Sequence, residues 1–190
     1  NQEKNQLNIR MERNLEWIKV GGSAQYGQLY NTSSGKSGHH YAAALHLLAD
    51  IASWNVQLEY GVYDHQPKNS DEQFNDRVQF GAYGTSFGVA SEAEFLLLNF
   101  SKGIAINHPW IDELNCYNDF GVVWPKHRTV NSGDKTTQNL LGCSVVSGAI
   151  VSYVELISGK NSAFVNGPGI GLIDDNGWSS RVNINIGYYF

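Results

Sequence analysis

The ten residues from Arg181 to Phe190, Arg-Val-Asn-Ile-Asn-Ile-Gly-Tyr-Tyr-Phe, alternate polar or small side chains with apolar ones and finish on an aromatic. Successive side chains of a strand point to opposite faces. Val182, Ile184, Ile186, Tyr188 and Phe190 therefore form an apolar stripe, and Arg181, Asn183, Asn185 and Gly187 a polar one. A half-buried strand of a soluble sheet shares the alternation but rarely ends a chain on Tyr-x-Phe with no polar tail. Alternating segments separated by turns are the signature of a transmembrane β-barrel, weak in any one segment and informative in repetition.

The repetition is present. Leu7, Ile9 and Met11 alternate with Asn8, Arg10 and Glu12, and Ile18, Val20, Ala24 and Tyr26 with Lys19, Ser23 and Gln25. A breaker run from Asn31 to Gly38 follows. Tyr41, Ala43, Leu45 and Leu47 face away from His40, His46 and Asp50, and Trp54, Val56, Leu58, Tyr60 and Val62 oppose Asn55, Gln57, Glu59 and Gly61. The polar stretch from Asp64 to Asp76 contains Pro67 and reads as a loop. Val78, Phe80 and Ala82 then oppose Arg77, Gln79 and Tyr83, with a turn at Gly84 to Ser86. From Phe87 to Ile106 the alternation fails, because Leu96, Leu97 and Leu98 are apolar on both faces, as in a strand buried on both sides. Segments 117–124, 138–146, 149–157 and 179–190 bring the expected count to about ten, an even number of the kind bacterial barrels use.

Composition fits an all-β antiparallel transmembrane barrel formed by residues 1–190 as one domain. Of 190 residues 12% are aromatic, 20 are glycine and only 16% are charged, against a usual charged share of about 25%. Low charge with many aromatics and glycines is expected where one side of every strand meets lipid and aromatics gather at the interfaces. No apolar run is long enough for a spanning helix. No secretion signal opens the chain, so Asn1 reads as a mature or truncated start. A net charge of −5 argues against nucleic acid as a partner.

Connection lengths are a further test. If Phe190 ends on the inner side, connections should alternate between long outside and short inside. Working backwards, 158–177 is long, Ser147-Gly148 is tight and 125–136 is long, as required. Upstream, the stretch around Asn107-His108-Pro109-Trp110 exceeds a tight turn, and 64–76 falls on the inner side, which breaks the pattern.

Four runs resemble a known family. Trp17-Ile18-Lys19-Val20-Gly21-Gly22-Ser23-Ala24-Gln25-Tyr26-Gly27-Gln28, Cys116-Tyr117-Asn118-Asp119, Tyr153-Val154-Glu155 with Gly159-Lys160-Asn161, and Asn183-Ile184-Asn185-Ile186-Gly187-Tyr188-Tyr189-Phe190 are similar to the C-terminal half of outer-membrane porins of the phosphate-selective (O and P) type. The resemblance implies an integral protein of the Gram-negative outer membrane. It also implies a trimeric diffusion channel for small hydrophilic solutes or ions, with the chain either a small barrel or part of one with about 16 to 18 strands. The C-terminal block ending at Phe190 is a general signal to the barrel-assembly machinery. The charge pattern does not carry phosphate selectivity with it. The residues expected to line the lumen are Lys19, Gln25, Gln57, Glu59, Arg77, Gln79, Asp119, Glu155, Arg181, Asn183 and Asn185, with Glu92 and Glu94 counted on the same side. Acids outnumber bases there, so the field should be mixed or favour cations.

Transport of this kind is passive and implies no enzyme activity and no cofactor. Serine is abundant, yet no Gly-x-Ser-x-Gly elbow occurs. His39, His40 and His46 lack Cys or carboxylates at ligand spacing, and His39 points away from the other two, so a metal is not expected. Asp174-Asp175-Asn176-Gly177 reads as a turn rather than a cation loop, and Gly167-Pro168-Gly169-Ile170-Gly171 as an outer loop. Cys116 and Cys143 share parity on adjacent strands, which permits a disulfide or two small apolar-facing thiols. Two rivals to a channel remain open. One is a barrel with its lumen plugged; the other is a soluble all-β domain stacking ligands on Trp54, Trp110, Trp124 or Trp178.

Overall fold

The computed structural model describes residues 2–82, 84–126, 135–172 and 177–190, excluding the side chains of residues 73, 82 and 85. In chain order the strands are β1 Gln2–Asn14, β2 Ile18–Tyr30, β3 Ser37–Ile51, β4 Trp54–His65, β5 Arg77–Ala82, β6 Thr85–Ala90, β7 Glu92–Ile104, β8 Glu113–Pro125, β9 Thr136–Ser147, β10 Ile150–Lys160, β11 Gly169–Ile170 and β12 Ser179–Tyr188. One 3-10 turn, Glu72–Phe74, precedes β5. The protein is all-β, and no described helix is long and apolar enough to cross a membrane, which says nothing of crossing by strands.

Nine of these strands form one sheet in the order β1-β2-β3-β4-β7-β8-β9-β10-β12, each antiparallel to its neighbours. The expected even count of about ten therefore becomes nine in the main sheet. The reason is that β4 pairs directly with β7, from Asp64↔Glu92 to Trp54↔Lys102, and the chain between them leaves the sheet. That excursion is the hairpin β5–β6, joined by β11 in a small second sheet of order β11-β6-β5. The part of the break that came from 64–76 disappears with it, while the stretch around Asn107-His108-Pro109-Trp110 stays longer than a tight turn. Residues 66–91 form one long connection at the same end as 31–36, 126–135 and 161–178, and the short ones at 15–17, 52–53 and 148–149 lie at the other, with 105–112 the longest there.

The sheet has two unlike faces. Register places Val20, Leu47, Leu58, Leu98 and Phe120 in one cross-strand row, with Ile18, Ala49, Val56, Phe100, Asn118, Leu141, Leu156 and Val182 in the next. This face is apolar and exposed: Met11 is 74% accessible, Leu45 68% and Ile186 70%. The opposite face carries Lys19, Gln57, Asn99 and Asp119 in one row and Glu12, His46 and Glu59 in another. A single cavity on it is lined by residues from Arg10 of β1 to Gln138 of β9. Strands are about 4.8 Å apart, so one cavity can touch β1 and β9 only if the sheet curls with its polar face inward.

The small sheet lies against this inward face. Phe80 of β5 meets His65 edge-on at 6.3 Å, Phe87 of β6 meets Phe164 at 5.7 Å, and the Gly171 amide donates to Thr136 Oγ1 at 2.7 Å. Val78, Ala90, Ala93, Val165 and Leu172 are buried in this region. Asn31 Nδ2 ties two long connections together by donating to the Pro67 carbonyl (3.0 Å) and to Asn69 Oδ1 (2.8 Å). At the short end the tight β9–β10 turn uses Gly148 at φ +55, a conformation that suits glycine, and its amide donates to Asp112 Oδ2 at 2.5 Å. Cys116 and Cys143 stand opposite each other on β8 and β9 and form a disulfide on the outward face.

Candidate functional site: the inward face

Antiparallel pairing puts directly opposed residues on the same side, so register alone assembles the inward face from distant sequence. Nine of the eleven residues singled out in the sequence share it: Lys19, Gln25, Gln57, Glu59, Asp119, Glu155, Arg181, Asn183 and Asn185. Arg77 and Gln79 do not belong to the main sheet. They lie on β5, where Arg77 Nε bonds Asp76 Oδ1 at 3.0 Å. Glu92 and Glu94 lie on the other face, because Glu94 stands opposite Val62 and Trp124 rather than Glu59. Glu94 accepts from Tyr60 Oη at 2.9 Å and pairs with Lys126 Nζ at 2.9 Å. Beyond the end of β8, Lys126 has its ammonium pKa pushed above the ordinary lysine value by that bond to Glu94.

Large rings lie flat on the inward face because glycines sit beside them. A Cβ on Gly21 would fall 2.5 Å from His46 Nε2, on Gly27 2.6 Å from His40 Nε2, on Gly61 2.3 Å from Phe95 Cζ, and on Gly142 3.0 Å from Tyr117 Cζ. Each ring thus occupies the space over a neighbouring strand instead of standing up from the sheet. His46 reaches across β2 in this way to Glu12 Oε1 on β1 at 2.9 Å, and Arg10 Nη2 holds the same oxygen at 2.5 Å.

Further along the face, Tyr117 Oη donates to Glu155 Oε1 at 2.7 Å and Asn183 Nδ2 to Glu155 Oε2 at 2.7 Å, so three strands share one carboxylate. Asn99 Nδ2 donates to Asp119 Oδ1. Tyr117 and Asn99 are partners that the sequence reading missed. Tyr117 shares parity with Asp119, the signal that sets both on the polar side.

Near the long-connection end the face is drier. His40 is 1% accessible and stacks on His65 with centroids 5.6 Å apart, and Tyr63 packs edge-on to His65 at 5.3 Å. His40 Nε2, Tyr63 Oη and His65 Nδ1 are buried without a hydrogen-bond partner. His39 faces the other side, against Tyr26. Among the described residues no group of three His, Cys, Asp or Glu side chains is placed to hold a metal ion. The Asp174-Asp175-Asn176 run lies outside the described residues. Comparison with protein-family models, with curated proteins and with solved structures returns no match to this chain.

Proposed function

We propose that the chain forms the wall of an integral outer-membrane β-barrel that lets small hydrophilic solutes and ions diffuse passively, without catalysis or cofactor. The observation that carries this reading is the dense exposure of large apolar residues on the outward face, against Leu97 and Tyr153 exposed on the inward one. Leu7, Ile9, Met11, Leu45, Leu58, Phe100, Leu141, Leu156, Val182, Ile184 and Ile186 are all exposed on the outward face. A contiguous exposed apolar surface of this extent needs an apolar partner, and lipid is one that an entire curled sheet can meet at once. The main strands run from 10 residues in β12 to 15 in β3, enough to cross a bilayer when tilted. Tyr26 and Tyr41 towards the long-connection end, with Trp54 and Tyr188 towards the other, suit the two interfaces.

Closure is the finer part of the proposal. With antiparallel neighbours throughout nine strands, β1 and β12 run in the same direction. An all-antiparallel ring therefore needs an odd number of further strands between them. A ring of about sixteen, the size at which barrels hold open water, would need about seven. Trimer assembly and delivery by the barrel-assembly machinery through Phe190 belong to the same reading.

A second reading has its own observation. The small sheet β5-β6-β11 occupies part of the inward face and favours a barrel that is plugged rather than open. Single-channel recording from detergent-extracted protein in a planar bilayer separates the two. Stepwise openings support the channel, inserted protein that stays silent supports the plug, and protein that remains monodisperse in water without detergent sinks both.

A further inference from the structure

Lys19 stands on β2, while Glu59 is on β4 and Asp119 on β8; all three line one cavity of about 580 Å³. Most other charges nearby are committed: Arg10 and His46 to Glu12, Asp119 to Asn99. Lys19 and Glu59 are different, since neither has a hydrogen bond or a close ion pair with a described residue, Lys19 feeling Glu12 only at longer range, although they share the cavity wall.

Register explains why they stay apart. Lys19 is in the row of Leu48 and Gln57, whereas Glu59 is one row along, in the row of Gly21 and His46. Two strand spacings and a two-residue step separate their Cα atoms by about 12 Å. Between them β3 presents Leu48 and His46, whose ring lies flat over Gly21 and leaves the cavity open above it, and Gln57 supplies an amide beside Glu59.

We infer that this cavity is a subsite for a short zwitterion whose ammonium and carboxylate lie several bonds apart, such as an ω-amino acid or a dipeptide. The inference rests on the channel reading only for the passage of that solute, because the charges hold it whether or not the pore is open. The carboxylate faces Lys19 and the ammonium faces Glu59, with Asp119 beyond it. Gln57, in the row of Lys19 and on the strand of Glu59, bonds the amide between. A solute with one charge meets attraction on one wall and repulsion on the other, and a neutral solute gains from neither. The cavity volume lies within the range of small-molecule sites, about 300–1,000 Å³.

The test is titration of the detergent-solubilised protein by calorimetry with glycylglycine, its N-acetyl form (anion), its C-terminal amide (cation) and the doubly capped form. The expected order is glycylglycine first, by about tenfold or more over every capped form. Lys19→Gln and Glu59→Gln should each lose most of that preference. The charge exchange Lys19→Glu with Glu59→Lys should restore it, since a zwitterion can turn round. Equal affinity for all four solutes, no binding, or tightest binding of the cation would overturn the inference, as would failure of the folded exchange variant to recover. Conductance of the same preparation is read separately. Binding in a silent barrel keeps the subsite and removes the channel, whereas conductance without zwitterion preference does the reverse.

Discussion

The two ends of the inward face are built from the same strands but are held together by different forces. Towards the long connections, β4 and β7 present Tyr63, His65, Ala93 and Phe95, and the small sheet closes over them. Ala93 is 0% accessible, and Val78, Ala90 and Leu172 complete a dry core. Towards the other end the same two strands present Gln57, Asn55, Asn99 and Ser101, the first exposed and the others half-buried. Cohesion there comes from polar bonds such as Tyr117–Glu155–Asn183 and from the Cys116–Cys143 link on the reverse side of the sheet. Packing stabilises one end in proportion to the apolar area it hides. The other end, left open to water, relies on bonds that can stay wet.

The sharpest way to break this contrast is to put a charge into the dry end. Ala93→Glu leaves a carboxylate with no partner in a packed core, and should cost about 3 kcal/mol or more, or prevent folding. Gln57→Glu, three rows along the same face, should stay within about 0.5 kcal/mol. Reversible denaturant unfolding in detergent measures both, and equal costs would abolish the distinction between the two ends.

Next in size is the disulfide. Its cysteines are 27 residues apart, and removing it as Cys116→Ser with Cys143→Ser should cost about 2–4 kcal/mol by loop-closure entropy. The same unfolding assay, run with and without reductant, checks it. A loss near zero would mean that the polar bonds alone hold the wet end.

The outward face comes third. Leu45→Arg should destabilise the protein in lipid vesicles by about 2–4 kcal/mol if this row meets the bilayer midplane. The same change on a surface bathed in water should be nearly silent, so folding measured in vesicles against detergent-free buffer reads the difference. The smallest effect is expected from Tyr117→Phe. It removes one hydrogen bond to a Glu155 carboxylate that keeps Asn183, for a loss of about 1 kcal/mol.

This division also explains what could be read from the sequence. Period-two alternation marked β2, β3, β4 and β12 because one side of each is apolar over most of its length and the other mostly polar. It failed in β7, since Phe95 points inward over Gly61 at the dry end, and Leu97, inward over Gly121, is an apolar side chain exposed in the wall of the polar cavity. Alternation records which face is wet, and at that end the inward face is dry. The same blindness placed Glu94 inside. Its neighbours Tyr60 and Lys126 satisfy it on the outward face, and both are too far away in sequence for a local pattern to reveal. Arg77 and Gln79 were misplaced for a related reason, since alternation in β5 cannot say which sheet a strand joins. Nine of the eleven candidates share one face because parity fixes a face once register is set, while bonds such as Asn99–Asp119 and Tyr117–Glu155 appear only when strands are brought together.

The excursion between β4 and β7 has a consequence for how such a chain can change length. The chain leaves β4 and enters β7 at the same end of the sheet, and the inserted piece is a whole hairpin. Gaining or losing that hairpin, or moving it from the interior into the wall, leaves the direction of every later strand as it was. A single added strand would turn everything from β7 to β12 upside down, exchanging its long connections for its short ones. Growth and loss at this point are therefore confined to pairs of strands.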